Sequence, residues 1–268
     1  MGLKVVVLVK QILDPELPAR KFRIAADGRQ PERGDAPLVI NPFDQNALEL
    51  ALQLKDAGAA ESVTVITAGG SEATDALRKA LALKADRAIH IDTGDLGVQD
   101  AAAVAALLEA AVRKLDGADL ILAGRQAGDW DQGQVGYLLA ERLGWPCAAL
   151  VQRIEAAGDR LRLVREAPGG REVLEAGLPL VATVTNDDSN VLRLPKVRDV
   201  MMANRKPIDR WTPADLGLDG DALAAAGATE VLALRIPERK SECEMIEGDD
   251  PAEVAAALVR RLRELKVL

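Results

Sequence analysis

Apolar positions along the chain come in short runs separated by longer stretches of helical period, an alternation that predicts strands and helices in turn. Leu3 to Val9 is a nearly continuous apolar run, the length of one buried parallel strand. Ser62 to Thr67, Ala88 to Ile91 and Leu120 to Ala123 repeat it. Asn41-Pro42 opens a first helix, Asn as N-cap and Pro in the first helical position, and Gly58 stops it. Ser71 caps a second helix reaching Leu83, and an alanine-rich third spans Val98 to Leu115. Val135, Leu138, Leu139 and Leu143 form the apolar face of a fourth, with Asp131 and Gln134 placed as an Asp variant of the capping box. Strands and helices in this order predict a doubly wound α/β domain on a parallel sheet.

Elsewhere the pattern is less regular. Lys10 to Pro37 holds four prolines and an Asp27-Gly28 turn, which predicts an excursion carrying a small hairpin over Lys21–Gln30. Beyond Trp145-Pro146, the runs Leu150–Ile154, Leu161–Arg165, Arg171–Glu175 and Leu180–Thr185 are joined by Gly158 and Gly169-Gly170, the grammar of an antiparallel extension. Asn186 to Lys206 is polar and basic, with Leu192, Leu194, Met201 and Met202 reading as exposed. A turn or short helix follows at Trp211–Gly217, then a linker over Gly217–Gly227 and a last strand over Val231–Ile236. Asp250-Pro251 caps a final amphipathic helix, Ala252–Leu265.

Composition narrows the class. Apolar residues make up 49% but aromatics only 2%, so the core is built of Ala, Leu and Val, which suits helices on a parallel sheet. A net charge of −8 argues against nonspecific nucleic-acid binding. No run approaches the ~20 apolar residues of a membrane-spanning helix, and the chain starts directly on strand-like residues without a visible signal peptide. Cys147 and Cys243 are not spaced as a metal pair and suit a reducing cytoplasm. Cys147, beside Trp145-Pro146, reads as buried and inert, and the single histidine, His90, as a core or edge residue.

Candidate chemistry concentrates in the polar, glycine-rich loop after Leu120–Ala123. Its place at the carboxyl end of a parallel strand is where such sheets bind ligands, and backbone N–H groups there can hold phosphate oxygens. Gly and Asp also serve plain turn and cap chemistry, and Asp129 and Asp131 would repel a phosphate unless turned away as caps. Gly133-Gln-Val-Gly136 lacks the first glycine of a dinucleotide fingerprint, and there is no P-loop lysine motif. Ala68-Gly-Gly-Ser lacks the Asp-Ser ending of the pyrophosphate loop of ATP-dependent ligases. Ligand loops without a nucleophile–base pair predict binding rather than catalysis. Asn41, Phe43 and Asp44, then Ala68-Gly69, then Gln126–Val135 could converge on one nucleotide.

Within that loop, Ala123-Gly-Arg-Gln-Ala-Gly-Asp-Trp-Asp-Gln-Gly-Gln-Val-Gly136 resembles the nucleotide loop of the electron transfer flavoprotein β-subunit family, departing at Gly128 and Trp130. Val9-Lys-Gln-Ile12 with Asp14, Ile40 to Glu49, and Ala80 to His90 with Lys84 in place of Gly resemble further hallmarks, in family order up to Asp215-Leu-Gly217. The resemblance implies a Rossmann-like sheet of the adenine-nucleotide-hydrolase type, divided into a nucleotide-binding core over 1–190 and a docking loop with C-terminal arm over 191–268. It implies a cytoplasmic electron carrier, not an enzyme, paired as a heterodimer with an α-subunit that holds most of the redox FAD. Electrons would pass from flavin dehydrogenases to electron transfer flavoprotein–quinone oxidoreductase and the quinone pool. Leu8, Asn41, Pro42, Phe43, Asp44, Ala68, Gln126, Ala127, Gly128, Asp129, Trp130, Asp131, Gln132, Gly133, Gln134 and Val135 fall where members line an adenine nucleotide. That ligand is AMP in most members and a second FAD in electron-bifurcating ones. Bifurcating members carry Val-Pro-Asp-Thr-like and Ala-Asp-Thr-type marks where this chain has Gln11-Ile-Leu-Asp-Pro15 and Gly97-Val-Gln-Asp100, and Leu96-Gly97 with Gln99 stands closer to the AMP pattern. AMP is therefore expected. Asn190 to Lys196 matches the loop that docks on dehydrogenases, with Leu194 as anchor and Arg193, Lys196 and Arg198 as docking charges. The alternative class is a stand-alone nucleotide-binding stress-type protein, whose Gly-x-x-Gly signature is not found after the fourth strand.

Overall fold

The computed structural model describes residues 2–94, 100–218, 220–237 and 243–268. Leu96, Gly97, Val98 and Gln99, which bear on the AMP pattern and on the start of the third helix, lie outside them. In chain order the elements are β1 (Leu3–Leu8), β2 (Gln11–Leu13), β3 (Leu38–Ile40), α1 (Pro42–Asp56), β4 (Ala60–Gly69), α2 (Thr74–Ala82), β5 (Arg87–Asp92), α3 (Ala101–Lys114), β6 (Leu120–Gly124) and α4 (Val135–Leu143). Then follow β7 (Cys147–Ala157), β8 (Arg160–Ala167), β9 (Gly170–Ala176), β10 (Leu180–Val184), α5 (Val197–Ala203), β11 (Asp209–Trp211), α6 (Gly220–Ala226) and α7 (Pro251–Glu264).

Nine strands form one sheet in the order β11-β5-β4-β1-β6-β10-β7-β8-β9. All are parallel from β11 to β7, and β8 and β9 extend the sheet antiparallel. The expected doubly wound α/β sheet with an antiparallel extension is therefore the fold. In β1 the side chains alternate between layers. Val5 and Val7 pack with Leu48 and Leu52 of α1 and Leu77 of α2, and Val6 and Leu8 with Leu107 and Leu108 of α3 and Leu139 of α4. Burial on both faces explains why these strands read as unbroken apolar runs. Strand order reverses at β1: the chain continues outward through β4 and β5, then returns to the other side of β1 as β6. This switch point positions the cleft described below.

Several local readings change. The Lys21–Gln30 hairpin reduces to a single bridge, Ile24 to Pro31, closed by Gly28 at φ 69°, while a two-stranded ladder, β2 with β3, anchors the base of the excursion. The run at Leu180–Thr185 is not part of the antiparallel ribbon. As β10 it inserts between β6 and β7, parallel to both. Ser71 caps nothing with its side chain; a turn of 3₁₀ helix, Ser71–Ala73, leads into α2. The Gly217–Gly227 stretch contains α6, whose Leu223 is buried against the α3 layer. Val231–Ile236 forms no strand. The final helix is capped as expected, Asp250 accepting from Ala252 N–H at 3.0 Å. No helix among the described residues is long and apolar enough to cross a membrane.

Candidate functional site

The carboxyl ends of β1, β4 and β6 open into a cleft of about 140 Å³. Its inner walls are apolar, from Leu8, Ile66, Ala68 and Ala123 on the strands and Val104 and Leu108 on α3. Its rim is polar and comes from Lys10, Asn41 and the loop that leaves β6, from Gly124 through Ala127 and again at Trp130, Gln132 and Gly133. Val135 and Gly136, the first residues of α4, complete it.

One buried carboxylate ties three of these elements together. Asp44, in the first turn of α1, accepts from Lys10 N–H after β1 at 2.7 Å and from Gly124 N–H at the end of β6 at 2.9 Å. Gly124 is required by this contact, because a Cβ there would lie 2.3 Å from Asp44 Oδ1 and 2.9 Å from its backbone N. Burial raises the Asp44 pKa from 3.8 to about 7, against the hydrogen bonds and the nearby Lys10 charge, which pull it down.

Asn41 was expected to cap α1 with its side chain. Instead the amide reaches across to the loop, donating to Gln126 O at 2.8 Å and accepting from Gly128 N–H at 3.1 Å. Asp131 and Gln134 do not form a capping box. Asp131 sits in the left-handed region at φ 50° and accepts from Gln126 Nε2 at 2.8 Å, and α4 starts only at Val135 without a side-chain cap. Asp129 is turned to Lys10, its Oδ2 2.7 Å from Nζ. The acids that would repel an anion are thus held by partners. Arg125 stacks its guanidinium 4.5 Å from the Phe43 ring centroid, and its Nε is buried without a hydrogen-bond partner among the described residues.

Of the expected ligand residues, Leu8, Asn41, Asp44, Ala68, Gln126, Ala127, Trp130, Gln132, Gly133 and Val135 line one cleft. Pro42, Phe43, Gly128, Asp129, Asp131 and Gln134 support its walls without lining it. Sequence reading missed Val9, Lys10, Ile66, Val104, Leu108, Ala123, Gly124, Arg125 and Gly136. Lys10 and Arg125 each follow a strand end directly, the position from which a side chain can reach the mouth of such a sheet. His90 is buried as expected, Nε2 facing the Gly69 and Gly70 carbonyls at 2.9 and 3.1 Å, which fixes Nε2 as the protonated nitrogen. Cys147 is exposed rather than buried, and partial desolvation pushes its thiol up to about 11.

Leu194 stands apart from the cleft, 91% exposed, and its neighbours in sequence Val191, Val197 and Met201 are exposed as well. Arg193, expected as a docking charge, is engaged internally. Its guanidinium donates to Glu49 Oε1 at 2.8 Å and to Asp56 Oδ2 at 2.6 Å, and these carboxylates raise its pKa further.

A doubly wound sheet with a polar-rimmed cleft at its switch point defines a class of α/β ligand-binding proteins. Within it, residues 32–216 match the electron transfer flavoprotein domain family. The chain is 34% identical over 267 residues to the caffeyl-CoA reductase–Etf complex subunit CarD of Acetobacterium woodii, covering 99% of this chain and 100% of that one. It is 35% identical to the electron transfer flavoprotein subunit β of Syntrophomonas wolfei (98% and 97% covered) and 36% identical to that of Clostridium acetobutylicum (98% of each). The chain belongs to the electron transfer flavoprotein β-subunit family.

Proposed function

We propose that this chain is the β-subunit of a cytoplasmic heterodimeric electron carrier, holding AMP in the switch-point cleft, with FAD carried mainly by an α-subunit. The observation that carries the AMP assignment is the cleft's chemistry. Its apolar interior suits one aromatic base, and its rim offers an α4 start without a side-chain cap and an Arg125 Nε that has no partner among the described residues to polar and anionic groups. At about 140 Å³ it lies below the roughly 300–1,000 Å³ of sites that enclose a whole drug-sized ligand, so it has room for a base while the ribose and phosphate would lie at the polar rim.

The residues fit AMP, which here is a structural ligand. It would join β1, α1 and the β6–α4 loop, the elements that Asp44 and Asn41 already tie together. FAD, when bound, supplies the electron-carrying chemistry. This chain's part is to close the flavin site and to present a docking surface. We assign that surface to the patch around Leu194, receiving flavin dehydrogenases, and residues 191–268 to docking and α-subunit contact, with 1–190 as the nucleotide core. Delivery to a quinone oxidoreductase completes the reading.

The test is expression of the chain alone and with its α-subunit. The single chain should be colourless, and the pair should purify with FAD absorbance. Stoichiometric flavin on the single chain would overturn this division of labour.

A further inference from the structure

A second cavity, of about 360 Å³, adjoins the cleft, and the two have Trp130 and Gln132 as common walls. Its roof is α6 and the chain beyond it, through Leu223, Ala224 and Thr229. That roof is fastened. Thr229 donates its N–H (2.7 Å) and its hydroxyl to Asp100 Oδ2, and Leu223 is buried in the α3 layer.

Trp130 is held between the two spaces by its own loop. Its backbone N–H donates to Asp129 Oδ1 at 3.0 Å, and Asp129 is gripped by Lys10. The next residue, Asp131, bonds back to Ala127 O at 2.8 Å through its N–H and to Gln126 through its carboxylate. These bonds fix the loop backbone at the bulky residue that lines both spaces.

We propose that Trp130 sets the size of ligand this subunit accepts: its indole is a partition that confines the cleft to one adenine mononucleotide. Removing it would join cleft and outer cavity. The joined space falls within the roughly 300–1,000 Å³ of sites for larger small molecules, enough for a two-part adenylate. The inference rests on the mononucleotide reading above and adds the residue that enforces it.

The test uses the heterodimer of wild type, Trp130→Ala and Trp130→Leu, each with its flavin site filled by FAD and the excess removed, then titrated with AMP and with ADP-ribose, a two-part adenylate. Circular dichroism checks folding, and the Leu variant covers the case in which Ala fails to fold. Wild type should prefer AMP by about 100-fold, and the variants should lower that preference at least about tenfold by gaining ADP-ribose affinity. Folded variants that keep the wild-type preference, or that lose AMP without gaining ADP-ribose, overturn the partition; the latter makes Trp130 only a contact. A wild type that binds neither probe would instead sink the mononucleotide reading itself, a separate result.

Discussion

Replacing Asp44 tests the centre of the site from two directions. In Asp44→Ala the N–H groups of Lys10 and Gly124 lose the acceptor they share. A buried donor left without a partner costs about 1–3 kcal/mol, so the pair costs roughly 2–6 kcal/mol, less whatever is regained by not burying a carboxylate. With a net loss of ~3 kcal/mol, the melting temperature of a chain this size should fall by roughly 6–12 °C. Asp44→Asn keeps one acceptor and no charge, so it isolates the titration. Burial raises the folded pKa from 3.8 to about 7, so between these values the folded state binds more protons than the unfolded one. Asp44 therefore favours folding most at low pH, and that contribution is lost as pH rises through 7. Over the whole interval the loss is on the order of 4 kcal/mol, of which about 2 kcal/mol lies between pH 5.5 and 8. Urea unfolding of wild type and both variants across that range supplies the data. Wild type should lose stability relative to Asp44→Asn as pH rises, and Asp44→Ala should be the least stable of the three at pH 5.5. Parallel pH profiles for wild type and the Asn variant would refute the titration argument, and an Ala variant as stable as Asn would refute the clamp.

Three further substitutions separate the cleft from the proposed docking surface. Gly124→Ala places a Cβ on Asp44 and on the Phe43 backbone, neither of which can swing aside, so it should cost about 1–3 kcal/mol and reduce nucleotide retention through gel filtration. Leu194→Ala removes an exposed side chain, so the urea midpoint should stay within about 0.5 kcal/mol of wild type. Apparent affinity for a flavin dehydrogenase donor should fall about tenfold or more in steady-state assays at unchanged flavin content. Arg193→Ala should do the reverse, lowering stability by unpairing the buried Glu49, and a purely kinetic effect there would restore it as a docking charge.

The layers of the fold were legible because strands buried on both faces, such as Val5-Val6-Val7, leave unbroken apolar runs. The place of β10 was not. Nothing local in Leu180–Val184 says that it pairs parallel with β6 and β7 and not with the preceding ribbon, since the crossover is a property of the whole chain. The residues of α6 read as a linker because Ala and Gly carry no strong periodicity, and only Leu223 reveals the buried face. Val231–Ile236 has strand-like residues but lies on the excursion instead of the sheet, with Leu234 N–H donating to Gly28 O at 2.7 Å. At the site, the loop's resemblance located Gln126 to Val135. Val104 and Leu108 could not be foreseen, because which helix covers the cleft follows from the reversal of strand order at β1. Asn41 carried an ordinary capping signal that the tertiary structure uses for a different bond.

The central claim is that the switch-point cleft holds AMP while the partner subunit holds the flavin. The heterodimer, purified without added nucleotide, should be denatured and its released nucleotides separated and quantified. The account predicts one AMP and one FAD per heterodimer. Two FAD and no AMP, or FAD alone with an empty cleft, would contradict it.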